Sequence, residues 1–145
     1  MVTPIGLLKK FQTFEAETMV DTAFSENESA MLKAQKDQMR RGERSDGEEI
    51  TPGLLSDAYA REKKASGGIA QMGVPDLKDT GAFQNAITYE VSDGVVYFNS
   101  TDEKTDDLVD KYTEDIFGLS GKSFTEARPS VFKSMREYCR RTLGI

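Results

Sequence analysis

The sequence predicts an α+β fold: a small antiparallel sheet built on a central hairpin, about 87–100, packed against N- and C-terminal helices. Three observations carry this. Ile87, Tyr89 and Val91 alternate with Thr88, Glu90 and Ser92, and Asp93-Gly94 separates them from a second β-rich run, Val95 to Phe98. Asp-Gly between two such runs is the strongest short-range hairpin signal. Helix-period apolar stripes flank it on both sides. The length of 145 residues suits one domain with a single core.

In chain order, residues 4–21 read as one helix. Pro4 suits an early helical position, and Leu7, Leu8, Phe11, Phe14 and Thr18 form a stripe. Ser25 to Glu28 has the form of a capping box, with Phe24 as a staple, and opens a second helix to about Arg41. Its apolar face is thin (Met31, Leu32, Gln35, Gln38, Met39), which implies packing on few partners or on another subunit. These elements form an N-terminal helical region, 4–41. A loop region follows, 42–76, with an extended piece at Glu49-Ile50-Thr51, a short helix from Ser56 to Lys64 and a Gly-rich surface loop at 65–76. The second helix and this loop region are expected to be the adaptable parts. Asp79-Thr80 caps a short helix through Ile87. In the hairpin, the second arm is apolar on both faces and should be the more central. Thr101 to Tyr112 reads as an acidic helix with Leu108, Val109 and Tyr112 inward, and Ile116 to Leu119 as a short apolar patch. Pro129 starts the last helix, whose buried stripe is Val131, Phe132, Met135, Tyr138, Cys139 and Leu143.

Composition excludes several chemistries. The chain has no histidine, hence no Ser-His-Asp or Cys-His catalysis and no His-ligated metal. A single cysteine, Cys139, forms no intrachain disulfide or Cys cluster, fits a reducing compartment, and reads as a buried small hydrophobe on its helix stripe. No signal-peptide pattern and no long apolar run is present. Gly121-Lys122-Ser123 resembles the close of a phosphate-binding loop, but Ile116 stands where the motif needs glycine, and a charged helix precedes it instead of a strand. The acids Asp102, Glu103, Asp106, Asp107 and Asp110 have helical spacing and no sharp Gly turn, unlike a calcium loop. No cofactor and no metal site is expected, and no catalytic residue is assigned.

Charge is unevenly spread over the net −6. Residues 79–116 hold ten acids and two bases, whereas residues 117–145 hold six bases and two acids. Such a dipole either pairs within the chain or docks head-to-tail on further copies. The acids Asp102, Glu103, Asp106, Asp107 and Asp110 and the bases Arg128, Lys133, Arg136 and Arg140 are therefore the candidate interface residues. Arg128, just ahead of Pro129, either lies exposed at a helix start or anchors a neighbour. Overall acidity argues against general nucleic-acid binding.

The run Leu77, Thr80-Gly81, Phe83, followed by a short helix, a hairpin and then Arg128-Pro129, resembles the virion morphogenesis family of tailed phages, the tail-completion and head–tail joining (neck) proteins. The segments around Asp46 to Pro52, Tyr59 and Asp115 to Leu119 are similar as well, so the resemblance covers most of the chain. Ser130 departs from it, since relatives place a large apolar residue after Arg-Pro. The resemblance implies a structural, non-enzymatic subunit located in the virion neck or tail and assembled in the host cytoplasm. It would form a homo-oligomeric ring of about six or twelve copies. Its partners would be portal, adaptor and tail proteins, with DNA passing through the channel without sequence-specific binding and with no membrane contact. Two other classes compete: a non-viral adaptor without catalytic activity, and a small metal-dependent hydrolase working through carboxylates.

Overall fold

Three helices, α2 (Ala16–Glu26), α3 (Glu28–Arg40) and α7 (Gly121–Leu143), form the framework on which the hairpin rests. The computed structural model describes residues 3–50, 56–70, 73–78 and 81–145. Within them the order continues from α1 (Pro4–Gln12) through α2 and α3 to α4 (Asp57–Ala65), α5 (Ala82–Asn85), β1 (Ile87–Ser92), β2 (Val95–Ser100), α6 (Thr105–Tyr112), a 3-10 turn at Glu114–Ile116, and α7. The class is α+β, with a two-stranded antiparallel sheet.

The single helix expected over 4–21 is two. Thr3 caps α1, its Oγ1 accepting from the Gly6 N–H at 3.1 Å, and Pro4 follows at the first position. Thr13 ends it: its hydroxyl donates back to the Lys9 and Lys10 carbonyls, and Glu15 is extended. The break turns Phe14 edge-on to Tyr138 of α7, with centroids 6.0 Å apart. A tertiary contact thus overrides helical continuity. The expected capping box is also absent. Ser25 lies inside α2, and the chain turns at Asn27, whose amide donates to the Ala23 carbonyl at 2.7 Å and to Ser134 Oγ at 2.9 Å. One side chain closes α2 and ties the corner to α7.

The second helix expected from the sequence is α3, and it packs with five of its thirteen residues buried. Gln35 and Gln38 are fully buried, along with Met31, Ala34 and Met39. Their amides pair with the backbone of 116–120 as a sheet edge would. Gln35 donates to the Ile116 carbonyl at 3.1 Å and accepts from the Gly118 N–H at 2.8 Å. Gln38 donates to the Gly118 carbonyl at 2.8 Å and accepts from the Ser120 N–H at 2.9 Å. The stripe looks thin only because its two central members are polar.

Residues 42–50 fold back on α3: Ile50 donates to the Gly42 carbonyl at 2.7 Å, and its side chain is buried. Gly42 has φ +73, and a Cβ there would meet Val74 Cγ1 at 2.6 Å, so glycine is required twice over. Thr51 lies outside the described residues. The short helix expected from Ser56 to Lys64 is α4, Asp57–Ala65, and Ser56 is its cap. The 65–76 segment is not wholly a surface loop, because Ala70 and Val74 through Asp76, with Leu77 after them, are buried. The Asp76 carboxylate accepts from Lys63 Nζ and the Lys78 N–H, and Gln84 donates to the Asp76 carbonyl at 2.9 Å. The cap expected at Asp79-Thr80 lies outside the described residues; α5 follows Gly81, which has φ +89.

In the hairpin, Asp93 (φ +51) and Gly94 (φ +74) are both left-handed, as a two-residue type I′ turn demands. The turn is pinned to α2, the Gly94 N–H donating to Asp21 Oδ1 at 2.7 Å. Tyr89↔Phe98 and Val91↔Val96 are cross-strand pairs, and Tyr89, Val96 and Phe98 pack inward. The second arm is not the central one. With no third strand among the described residues, its alternate residues Val95 and Tyr97 stay exposed. α6 begins at Thr105 rather than Thr101, because Asp102 first closes a turn, Oδ1 accepting from the Lys104 N–H at 2.9 Å. Leu108, Val109 and Tyr112 pack inward as expected.

The last helix does not start at Pro129. It starts at Gly121, with Ser120 as cap, its Oγ accepting from the Ser123 N–H at 3.1 Å, and Pro129 sits inside. The glutamine-anchored segment fixes that earlier start. Phe132, expected in the buried stripe, is exposed, and Ser123 and Ala127 are buried instead.

This packing sets two expectations. Gln38→Leu should lower unfolding free energy by about 2–4 kcal/mol, since the Gly118 carbonyl and Ser120 N–H lose their buried partner. Denaturant titration checks this against Ser29→Ala on the exposed face, which should stay within about 0.5 kcal/mol. Pro129→Ala should raise stability by about 1–3 kcal/mol, because proline has no N–H for the carbonyl four residues back. An unchanged denaturation midpoint would contradict that.

Candidate interaction surfaces

The acidic candidates are carried on the turn after β2 and on α6. Asp102 is partly buried by its turn, while Glu103, Asp106, Asp107 and Asp110 are exposed. Asp106 and Asp107 occupy the first turn of α6, where carboxylates complement the helix dipole. The basic candidates lie along α7. Arg128, Phe132, Arg136 and Arg140 fall at four-residue intervals on one ridge, and all are exposed. Lys133 stands beside the ridge, 3.9 Å from Glu137 in an exposed pair of little energetic consequence. Among the described residues, no ion pair joins the acids of 102–115 to the bases of 122–141. The structure therefore brings each set together on its own face and leaves the two faces unpaired with each other.

Phe132 is the residue that sequence reasoning missed here. Read with period 3.6 it shares the turn of Val131 and Met135, but its place on the ridge puts a phenyl ring between two arginines. Val95 and Tyr97 were missed likewise, because alternation shows that a strand has two faces, not which one is covered.

Other features resolve into structure. Ser123 of the Gly-Lys-Ser run is buried; its Oγ accepts from Arg41 Nη2 at 2.8 Å and bonds Ser120 Oγ at 3.1 Å. That run is a capped helix start, not a phosphate cradle. Cys139 is partly buried, its Sγ 3.4 Å from Met19 Sδ. Two adjoining grooves beside α4, of about 460 and 270 Å³, share Tyr59, Lys63, Asp76 and Lys78. Lys63 is held there by the Asp76 carboxylate and the Lys78 carbonyl, and its ammonium lies 5.4 Å from the Tyr59 ring centroid. The arrangement clasps 74–78 to α4. Among the described residues, no three His, Cys, Asp or Glu side chains are grouped to hold a metal ion. None of the helices is long and apolar enough to cross a membrane among those residues.

Burial pushes the Tyr89 hydroxyl up to about 12, with a smaller contribution from the Glu28 carboxylate. It donates to the Phe24 carbonyl at 2.7 Å, joining the hairpin to the end of α2.

No family model matches the chain, and no curated protein or solved structure is found similar to it.

The raised Tyr89 value fixes a sign. The unfolded chain releases this proton near pH 10.0 and the folded chain near 12, so the contribution is whole below 10 and lost as pH climbs through 12. Denaturation midpoints measured across that window should fall for the native chain, and less steeply for Tyr89→Phe. Equal slopes would contradict the assignment.

Proposed function

We propose that this chain is a structural subunit without catalytic activity: a tail-completion or head–tail connector protein of a tailed phage. It assembles into a ring around the DNA channel between portal and tail. The observation that supports this reading is the separation of exposed charge. An acidic face, Asp102 to Asp110, follows the hairpin, and a basic ridge, Arg128 to Arg140, runs along α7. Surfaces of opposite sign that do not satisfy each other within one chain are complementary between copies. A contact of one face with the other is heterologous, and it closes into a ring when the rotation per copy divides a full turn. Function is then docking: each copy presents its acids to the basic ridge of the next. A net-acidic subunit lining the channel repels phosphates, which lets DNA pass without sticking.

The test is made on particles. Tailed particles purified from a host expressing the encoding genome should contain the chain at about six or twelve copies, quantified by mass spectrometry. Deleting its gene should leave filled heads without joined tails. Absence from purified particles, or infectious tailed particles after deletion, would contradict the proposal.

A further inference from the structure

We infer that α1 is a docking arm that seats on the outer face of the β1–β2 hairpin of a second copy of this chain. The inference rests on the ring reading above and supplies the apolar half of the same junction.

α1 has nine residues, none of them buried. Helices this short are marginal in water unless one face is covered. Its attachment to α7 is slight: Lys10 Nζ donates to the Leu143 carbonyl at 3.2 Å, and Phe14, just beyond the helix, meets Tyr138. Meanwhile Ile5, Leu8 and Phe11 are 71%, 58% and 54% exposed. Scattered exposed apolar residues are ordinary, but these three recur at three-residue spacing and form one stripe on a single short helix. The stripe lies beside positive charge. α1 carries Lys9 and Lys10 and no acid, and it packs on α7, the helix of the arginine ridge.

The hairpin offers the converse. Val95 and Tyr97 are 46% and 54% exposed on its outer face, paired across the strands with Ser92 and Glu90. Residues 87–100 hold Glu90 and Asp93 and no base, and β2 runs straight into the acids of 102–110. One surface is apolar with a basic surround, the other apolar with an acidic surround. Both are uncovered in the same chain, so the occupant that fits is another copy. Charge also selects the geometry. Pairing α1 with α1 about a two-fold axis would face Lys9 and the α7 arginines with their own kind, whereas α1 on the hairpin joins opposite signs. An anionic lipid surface would satisfy α1 but leave Val95 and Tyr97 bare. Phe11 and Tyr97 are the aromatic anchors of the contact.

The experiment uses the full chain with Cys139→Ala, so that introduced thiols stand alone. Leu8→Cys and Tyr97→Cys are made separately, given different mass tags, mixed and oxidised. The mixed disulfide, joining position 8 of one copy to position 97 of another, should exceed either same-site dimer by about tenfold. Light scattering should show Phe11→Glu and Tyr97→Glu each reducing the oligomer to monomer, with circular dichroism unchanged. A merely statistical yield, with the mixed disulfide about twice either same-site dimer, dominance of the Leu8→Cys same-site dimer, or a native chain that stays monomeric when concentrated would each overturn the contact. So would capture by phosphatidylserine vesicles that Phe11→Glu abolishes, without an oligomer. The two readings fail separately. A chain counted in particles but lacking the mixed disulfide loses the arm contact and keeps the ring role. A chain that gives the mixed disulfide but is absent from particles loses the phage role and keeps the contact.

Discussion

Two side-chain amides inside α3 hold this fold together. The segment from Ile116 to Ser120 joins the acidic helix to the long C-terminal one, and it runs from buried Ile116 through half-buried residues to buried Ser120, where backbone groups need protein partners. Gln35 and Gln38, one helical turn apart, present a donor and an acceptor each, and they satisfy four main-chain groups in succession. Much else is set from that anchor. Ile116 enters the core around Met39, Ile50, Phe83 and Tyr112, while Leu119 packs against the core around Ala23, Met31, Ala127 and Val131. The segment thus joins the two cores, as does Phe98, which packs against both. Ser120 is held where it caps α7, and Arg41, just past α3, reaches Ser123 in the first turn of the same helix. The start of α7 decides which of its faces meets α2 and α3, and hence which ridge is left outward.

The parts legible in the sequence are those fixed by local chemistry. Asp93-Gly94 names the turn, and the alternation on either side names the strands. Leu108, Val109 and Tyr112 follow from helical period. What was not legible was decided by distant contacts. Glutamine counts as polar in any pattern reading, so the buried face of α3 read as weak. Pro129 marks a helix start in isolation, yet a backbone anchored upstream carries the helix through it. Asn27 closes α2 by reaching both α2 and α7, which no local motif encodes. At the surface, charged residues are legible because they stay in water, whereas Leu8, Phe11 and Phe132 read as inward because apolar residues usually are.

That asymmetry bears on the assembly proposed. The chain presents charge on separate elements, and its exposed apolar residues include those of α1, the outer hairpin face and Phe132, with Tyr59, Ile69 and Ile145 exposed elsewhere. In an interface, apolar anchors supply affinity while the charges steer encounter and set register. The proposed junction has both, and its charged rim would make it sensitive to salt.

The claim that the glutamines carry the joint is tested most directly by native-state hydrogen exchange at the Gly118 and Ser120 amides, observed residue by residue. Both belong to a connecting segment without regular structure, yet both donate to buried side-chain oxygens. The account predicts that they exchange only when the whole protein unfolds, as slowly as the amides in the middle of α3. Exchange as fast as that of the exposed turn at Gly47 would show that the segment opens locally, and would contradict it.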